Sequence, residues 1–545
     1  MHSKLIVTMR FRIQFLVLLL IISVFSNCAR RGSPTGGPKD SIPPVLEKAI
    51  PKMESINFDA KKIRIEFDEY IKLKDINQNL IISPPQKHDP EIYPMGSASK
   101  FISIKILDTL DANTTYQFNF GKAIVDNNEE NELGNFKYVF STGSYIDSLI
   151  IKGKVTDPSI KESATGIDVM LYRYDSTYTD SIVFKEKPRY ITNTLDSTLY
   201  DLTNLKAGKY LLMALKDGNN NKVFDPKTDK IGFINDTITL PIEREIDFSV
   251  FKEILDFKAI RPIESNKGHI LFGYEGNPKG MKIELLSPAP TGFKPYEIFD
   301  AAKDTLNYWY KPFEADSLNF RITNTNFDFD EEFTVNLRKK DIDSLKVNPN
   351  TNGTFHYLDT LTLRTTTPIE NFNESLVKIT KQVDTIFENV DFNSVISNSN
   401  KISFIFDKNF DSKYTFEMLP KSITDIHQLT NDSISINLNT LTPEDYGIIN
   451  VDIVSNEDAS FIVELLDNKD LVVRTKIIDS PQTVIFNYLS PKIYTIRAIV
   501  DTNRNGKWDT GNFLQKTQPE KIIYYQTEIE LRANFEMNES FNLDE

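Results

Sequence analysis

Apolar and polar residues alternate one for one along most of this chain, and a period of two admits little besides half-buried antiparallel strands. Ile63, Ile65 and Phe67 alternate with polar neighbours, as do Ile102, Ile104 and Ile106, then Tyr116, Phe118 and Phe120. The rhythm returns at Ile402, Phe404 and Phe406, and again at Ile434, Ile436 and Leu438. Turn residues separate the runs, and no long segment carries the stripe of an amphipathic helix. An all-β chain is expected, and at 545 residues tandem sandwiches are favoured over one giant sheet.

The first residues break the pattern. Lys4, Arg10 and Arg12 precede an apolar run from Phe15 to Phe25, too short to span a membrane, which takes about 20 residues, but suited to a signal peptide. The run ends in Phe25-Ser26-Asn27-Cys28, and Cys28 is the only cysteine. A lone cysteine forms no internal disulfide. The segment resembles the lipobox of bacterial lipoproteins, although Phe25 and Asn27 depart from its usual residues. The resemblance implies lipid attachment at Cys28 after removal of residues 1–27, with 28–43 (Gly/Pro/Ser-rich) as a flexible tether. No later stretch reaches about 18 apolar residues, so the mature protein is expected to be anchored to a membrane, the outer one, and not to span it. Ala29, Arg30 and Arg31 lack the acidic residues that tend to follow the cysteine in surface lipoproteins of Bacteroidota, which tilts the reading toward the periplasmic face. The net charge of −14 argues against a nucleic-acid partner, whose binding surfaces are basic.

Residues 44–145 form the first expected domain. An Ile42-Pro43-Pro44 entry, the strand 63–71 (IRIEFDEYI), the strand 116–126 (YQFNFGKAIVD) and a closing 138–143 (YVFSTG) resemble the SbsA-type bacterial Ig-like domain, which implies a sandwich without catalytic residues. Residues 146–250 resemble the prealbumin-like, carboxypeptidase-regulatory fold, from IKGKVTD (151–157) and LKAGKYLLMALKD (205–217). The second of these segments recurs. Residues 204–225 align without gaps onto 488–509 at a constant offset of 284, matching Leu205 with Leu489, Tyr210 with Tyr494 and Asp217 with Asp501. A middle β domain (251–367), a second Ig-like domain (368–454) and a second prealbumin-like sandwich (455–545) complete the expected order.

The repeated segment ends in an Asp/Asn loop. Asp501, Asn503, Asn505, Gly506 and Asp509 stand at positions 1, 3, 5, 6 and 9 of a calcium loop, and Asp217, Asn219, Asn221 and Asp225 repeat the pattern. Calcium takes six to eight hard oxygens, and alternate residues of a tight loop can aim carboxylate and amide oxygens at one point. The loops resemble the DxNxNGxxD loops of bacterial surface B-type domains, which implies structural calcium. Lys222 stands where the second copy has Gly506, and Thr228 and Asn512 stand where an EF-hand has its glutamate. With two carboxylates per loop, affinity should fall in the extracellular range, about 10⁻⁴–10⁻³ M. The same residues also make tight turns without any metal.

A third pattern is Asp-(Ser/Thr) followed by an aliphatic residue or Thr. Its hydroxyls are Ser41, Thr109, Ser148, Ser176, Ser181, Ser197, Thr237, Thr305, Ser317, Ser344, Thr360, Thr385 and Ser433. The triplet resembles the O-glycosylation sequon of Bacteroidota, and it equally describes a turn leading into a strand.

Catalytic patterns do not emerge from the sequence. The five histidines are scattered, and the zinc-protease, nucleophile-elbow and phosphate-loop strings are missing. Acid pairs that meet only in space stay invisible at this level. The expectation is a lipid-anchored envelope protein with a structural or interaction role, an accessory of an outer-membrane assembly with protein partners and not an enzyme. Two other readings stay open: an adhesin or glycan binder using Asn307-Tyr308-Trp309-Tyr310 of the middle domain, and a carboxylate-dependent enzyme.

Overall fold

The computed structural model describes residues 39–544. Cys28, the signal segment and most of the tether lie outside them. The described chain is almost entirely β, with one four-residue α-helix at Ile76–Asn79 and a few 3₁₀ turns. No helix among the described residues is long and apolar enough to cross a membrane.

The chain divides into two compact units. The smaller holds the described residues 39–80, 87–111 and 118–142. Its main sheet runs Leu46–Ile50, Lys62–Leu73, Ser99–Lys105, Glu91–Tyr93, with Ile124–Asp126 pairing the far end of Lys62–Leu73. Alternation does what it promises here: Ile63, Ile65, Phe67, Ile102 and Ile104 all turn inward and are buried. Phe118, Phe120 and Phe140 of the same unit are buried too, the last stacked on Phe58 at 3.8 Å.

The larger unit contains segments 81–86 and 112–117 and everything from 143 onward. Ser83 is drawn into it because its hydroxyl donates to the Ile191 carbonyl and accepts from the Ile191 amide. Four sandwiches follow one another. In the first, the sheet Tyr190–Asn193, Asp168–Arg173, Gly208–Lys216, Lys230–Phe233 accompanies a three-stranded sheet of Leu199–Leu205, Leu149–Thr156 and Phe248–Ser249. In the last, Val472–Ile478, Ser460–Leu466, Ile493–Asp501, Ile522–Tyr524 accompanies Thr483–Leu489, Gly447–Val454 and Glu536–Asn542. Strand order is the same in both, and each three-stranded sheet closes with a parallel pair. The repeat therefore extends well beyond its 22 aligned residues.

Sheet membership departs from the expected boundaries at two places. Val347–Pro349 and Leu361–Thr365, inside the expected middle domain, belong to the sheet of Lys401–Phe406. The run Thr365-Thr366-Thr367-Pro368 reads as a terminus but is a buried corner. Thr365 Oγ1 donates to the Thr367 carbonyl at 2.6 Å, and Thr367 Oγ1 donates to the buried Asp425 carboxylate at 2.7 Å. Likewise Gly447–Val454 is the central strand of the last module's three-stranded sheet, although it precedes the expected start at 455.

Successive sandwiches of the larger unit are cemented at their joints. Between the middle and third, Trp309 packs on His427 and Lys311 pairs with Glu370. Between the third and last, Tyr357 stacks on Phe410 at 3.9 Å, and Tyr446 and Tyr488 join the cluster.

Candidate functional site

The two Asp/Asn loops leave their modules at equivalent points, just after Gly208–Lys216 and at the end of Ile493–Asp501. Their left-handed positions coincide. Positive φ recurs at Asn204 and Tyr488 (59° and 55°), at Asn220 and Arg504 (55° and 58°), and at Lys222 and Gly506 (63° and 73°), each pair 284 apart. Tyr210 donates its hydroxyl to the Lys206 carbonyl, and Tyr494 donates to that of Ser490. One local code, read twice, starts both loops in the same way.

In the second loop Asp501 is fully buried. One carboxylate oxygen accepts from the Asn505 amide, and the other accepts from the Gly506 amide and the Ser460 hydroxyl. Burial works against this charge, but those donors outweigh it and hold its pKa below the ordinary aspartate value. The side-chain oxygens of Asn503 and Asn505 each accept the amide two residues on, and both side-chain amide nitrogens donate to Asp509 Oδ2. Arg504, the basic residue in their midst, points outward to Asp458. Four oxygen-bearing side chains thus share one loop, a donor set that suits a hard cation.

The first loop is built differently. Asp217 accepts the amides of Asn219 and Lys222, but the Lys222 ammonium also comes in, 2.8 Å from Asp168 Oδ2 and 3.9 Å from Asp217 Oδ2. A fixed positive charge already stands beside the carboxylate that the sequence pattern offers to calcium.

Two further carboxylates close the loops, and both lie outside the repeated Asp/Asn pattern. Asp229, fully buried, accepts from the amides of Gly218 and Asp225 and from the Thr228 hydroxyl. Glu520 accepts from the amides of Thr502 and Asp509 and from the Thr502 hydroxyl. These are the same two backbone amides at offset 284. Asp229 lies 12 residues after Asp217, whereas Glu520 lies 19 after Asp501, so fixed spacing hides their equivalence.

The seven extra residues of the second loop have a place of their own. Residues 510–518 form a hook, closed by Asn512 and Thr517 exchanging backbone hydrogen bonds, and it inserts into the first prealbumin-like module. Phe513 is buried there against Phe184, Phe233 and Phe251. Its amide donates to the Glu253 carboxylate, Thr510 Oγ1 donates to the Lys252 carbonyl, and Lys516 pairs with Asp180. Lys161 reaches Glu528 and Thr495 from the other side. The larger unit is therefore closed on itself: its last module is locked onto its first. Between these two modules lies a cleft of about 870 Å³, lined by residues of both, among them Lys154, Asp157, Lys161 and Tyr524.

The other sequence candidates fall in varied places. Tyr308, Trp309 and Tyr310 are core residues, 2%, 4% and 2% exposed, so this run of rings offers no platform for a sugar. Two of the scattered histidines meet at the joint of the middle and third sandwiches. His269 lies flat on Trp309 at 3.6 Å, with Nδ1 3.4 Å from Asp343, and both ring nitrogens of His427 are buried without a partner. Among the described residues no group of three His, Cys, Asp or Glu is placed to hold a metal. None of the thirteen sequon hydroxyls is buried: Thr237, Thr305 and Ser317 are half-buried and the other ten are exposed. The triplet's turn-to-strand geometry is plain at Asp304 and Asp384, both at positive φ, the first immediately before Thr305–Trp309 and the second one residue short of Ile386–Asn389.

Residues 40–142 match the family model of a bacterial Ig-like domain, Big_5. The resemblance read from the Ile-Pro-Pro entry and its strands holds for that segment. No curated protein matches the chain. Among solved structures, domains 1–6 of the surface-layer protein SbsC are 11% identical at a TM-score of 0.15, over 90% of this chain and 68% of that one. Titin domains A168–A170 are 12% identical at 0.14, over 45% of this chain and 91% of that one. Superpositions this loose carry no argument about function.

Proposed function

We propose that the protein is a lipid-anchored envelope protein that works as a structural scaffold, an accessory of an outer-membrane assembly. The observation that supports this most is the interlocking of the larger unit. A chain that inserts a hook from its last module into its first, and cements the joints between, spends its contacts on holding modules at fixed relative positions. That suits a platform for protein partners better than a flexible tether. The anchor is Cys28, and residues 28–43 separate it from the first fold. The second Asp/Asn loop holds structural calcium through Asp501, Asn503, Asn505 and Asp509, with a main-chain carbonyl such as that of Lys507, and the ion would stiffen the root of the hook. Some of the thirteen exposed or half-exposed hydroxyls carry O-glycans.

A second reading, binding of a glycan or polypeptide, moves from the middle domain to the cleft between the two locked modules, whose size suits a ligand. Purification from detergent-solubilised membranes separates the two. Stoichiometric recovery of a membrane protein supports the scaffold; a free protein that binds on a glycan or peptide array supports the alternative.

A further inference from the structure

The two copies of the loop differ at a pair of facing positions, and the two differences match. Gly506 adopts the left-handed conformation in the second copy, and Lys222 adopts it at the equivalent position of the first. Glycine is at ease there, whereas a residue with a Cβ is strained. Strain of that kind persists only where the surroundings hold the residue in place, and here they do. Lys222 Nζ lies 2.8 Å from Asp168 Oδ2 and 2.6 Å from Asn220 Oδ1, with Asp217 Oδ2 at 3.9 Å.

Asp168 lies on the neighbouring strand, opposite Leu215. The residue opposite Ile499, which is Leu215 plus 284, is Ile462. Both Asp168 and Ile462 are buried. The first copy thus pairs a buried acid with a lysine, and the second replaces them together with isoleucine and glycine. Neither half of the first pair is tolerable by itself, because one buried charge without its partner is strongly destabilising. Burial pushes the Asp168 carboxyl up, while the Lys222 ammonium and the Asn193 amide pull it back.

We propose that the first loop is a metal-independent version of the second. The Lys222 ammonium, bonded to Asp168 and 3.9 Å from Asp217 Oδ2, fixes a positive charge beside the loop carboxylate and keeps a cation out of it, so the chain takes one calcium ion and not two. The count of one rests on the calcium reading of the second loop; the exclusion of a metal from the first rests on the Lys222–Asp168 geometry.

Two measurements on the full mature chain test it. Equilibrium dialysis at millimolar calcium should return one ion per chain, lost in Asp501→Ala and kept in Asp217→Ala. Two ions, one of them lost in Asp217→Ala, would overturn the proposal while leaving both loops as calcium sites. No ion at all would remove the calcium reading of the second loop, and the count of one with it. The second measurement needs no metal. Lys222→Met should lower the unfolding midpoint equally with calcium and with chelator, and adding Asp168→Ile should restore most of the loss. A midpoint that Lys222→Met leaves unchanged, or that calcium restores, refutes the role of Lys222.

Discussion

Replacing Phe513 by alanine removes the side chain that carries the hook. The ring is fully buried in the first prealbumin-like module and stands edge-on to Phe233 at 5.2 Å and 86°. Burying a phenylalanine is worth about 1.5–3 kcal/mol, the edge-to-face pair adds about 0.5–1.5 kcal/mol, and the cavity left behind costs more, which together give the ~3–5 kcal/mol typical of Phe→Ala. Surrounding phenylalanines leave little room for collapse, so the upper half of that range is expected. The assay is amide hydrogen exchange with denaturant unfolding of the whole chain. Phe513→Ala should expose the Asn512 and Thr517 amides, now bonded to each other's carbonyls, and lower stability by about 4 kcal/mol or more. Gly511→Ala should act alike, because its Cβ would lie 2.5 Å from the Phe251 ring and 2.6 Å from the Thr517 carbonyl oxygen. Phe535→Ala, on an exposed ring of the same module, should change stability by no more than about 0.5 kcal/mol. If Phe513→Ala costs less than about 1 kcal/mol and leaves exchange at 510–518 unchanged, the hook is not what closes the unit.

Other outcomes follow from the same structure. Asp229→Ala and Glu520→Ala each strip a carboxylate from two backbone amides and should cost about 2 kcal/mol or more in denaturant unfolding, with Asp229→Asn retaining part of the loss. Burial holds His269 and His427 below the ordinary histidine pKa, against the pull on His269 of Asn307 and Asp343 and on His427 of Asp425 and Asp343. The unfolded chain therefore binds more protons as pH falls from about 7 through 6.5, and stability present above that range is lost on acidification. Unfolding midpoints at pH 7.5 and 5.5 should show the fall, and His269→Gln with His427→Gln should reduce it, leaving the share of His356, which burial also holds down. Intact-mass measurement of protein from its own cells should exceed the lipidated polypeptide mass by glycan increments, removed stepwise by Ser/Thr→Ala changes at the exposed sequons; the bare lipidated mass would refute glycosylation.

What was legible in the chain was whatever repeats over short distances. Ile63, Ile65, Phe67, Ile402 and Phe404 are buried as their alternation requires, and the offset of 284 between the loops survives in φ angles and tyrosine hydrogen bonds. What failed were features that depend on distant partners. Thr367 and Pro368 look like a domain end until Asp425 is seen to accept from Thr367 across 58 residues. Asp229 and Glu520 do the same work at different spacings. Phe513 falls in the stretch where the two copies no longer align, and the module it enters lies more than 250 residues upstream. Aromatic residues adjacent in sequence suggested a sugar platform, yet Tyr308, Trp309 and Tyr310 are all covered at a strand end and the joint that follows. His269 and His427, 158 residues apart, gave no sign of sharing Trp309.

The scaffold reading is tested most directly by isolating the intact protein from detergent-solubilised membranes of its own cells and weighing both the protein and its complex by native mass spectrometry. The account predicts a chain that begins at Cys28 with its acyl chains attached and is bound in fixed stoichiometry to a membrane protein. A chain without acyl mass, recovered unbound from the soluble fraction, would contradict it.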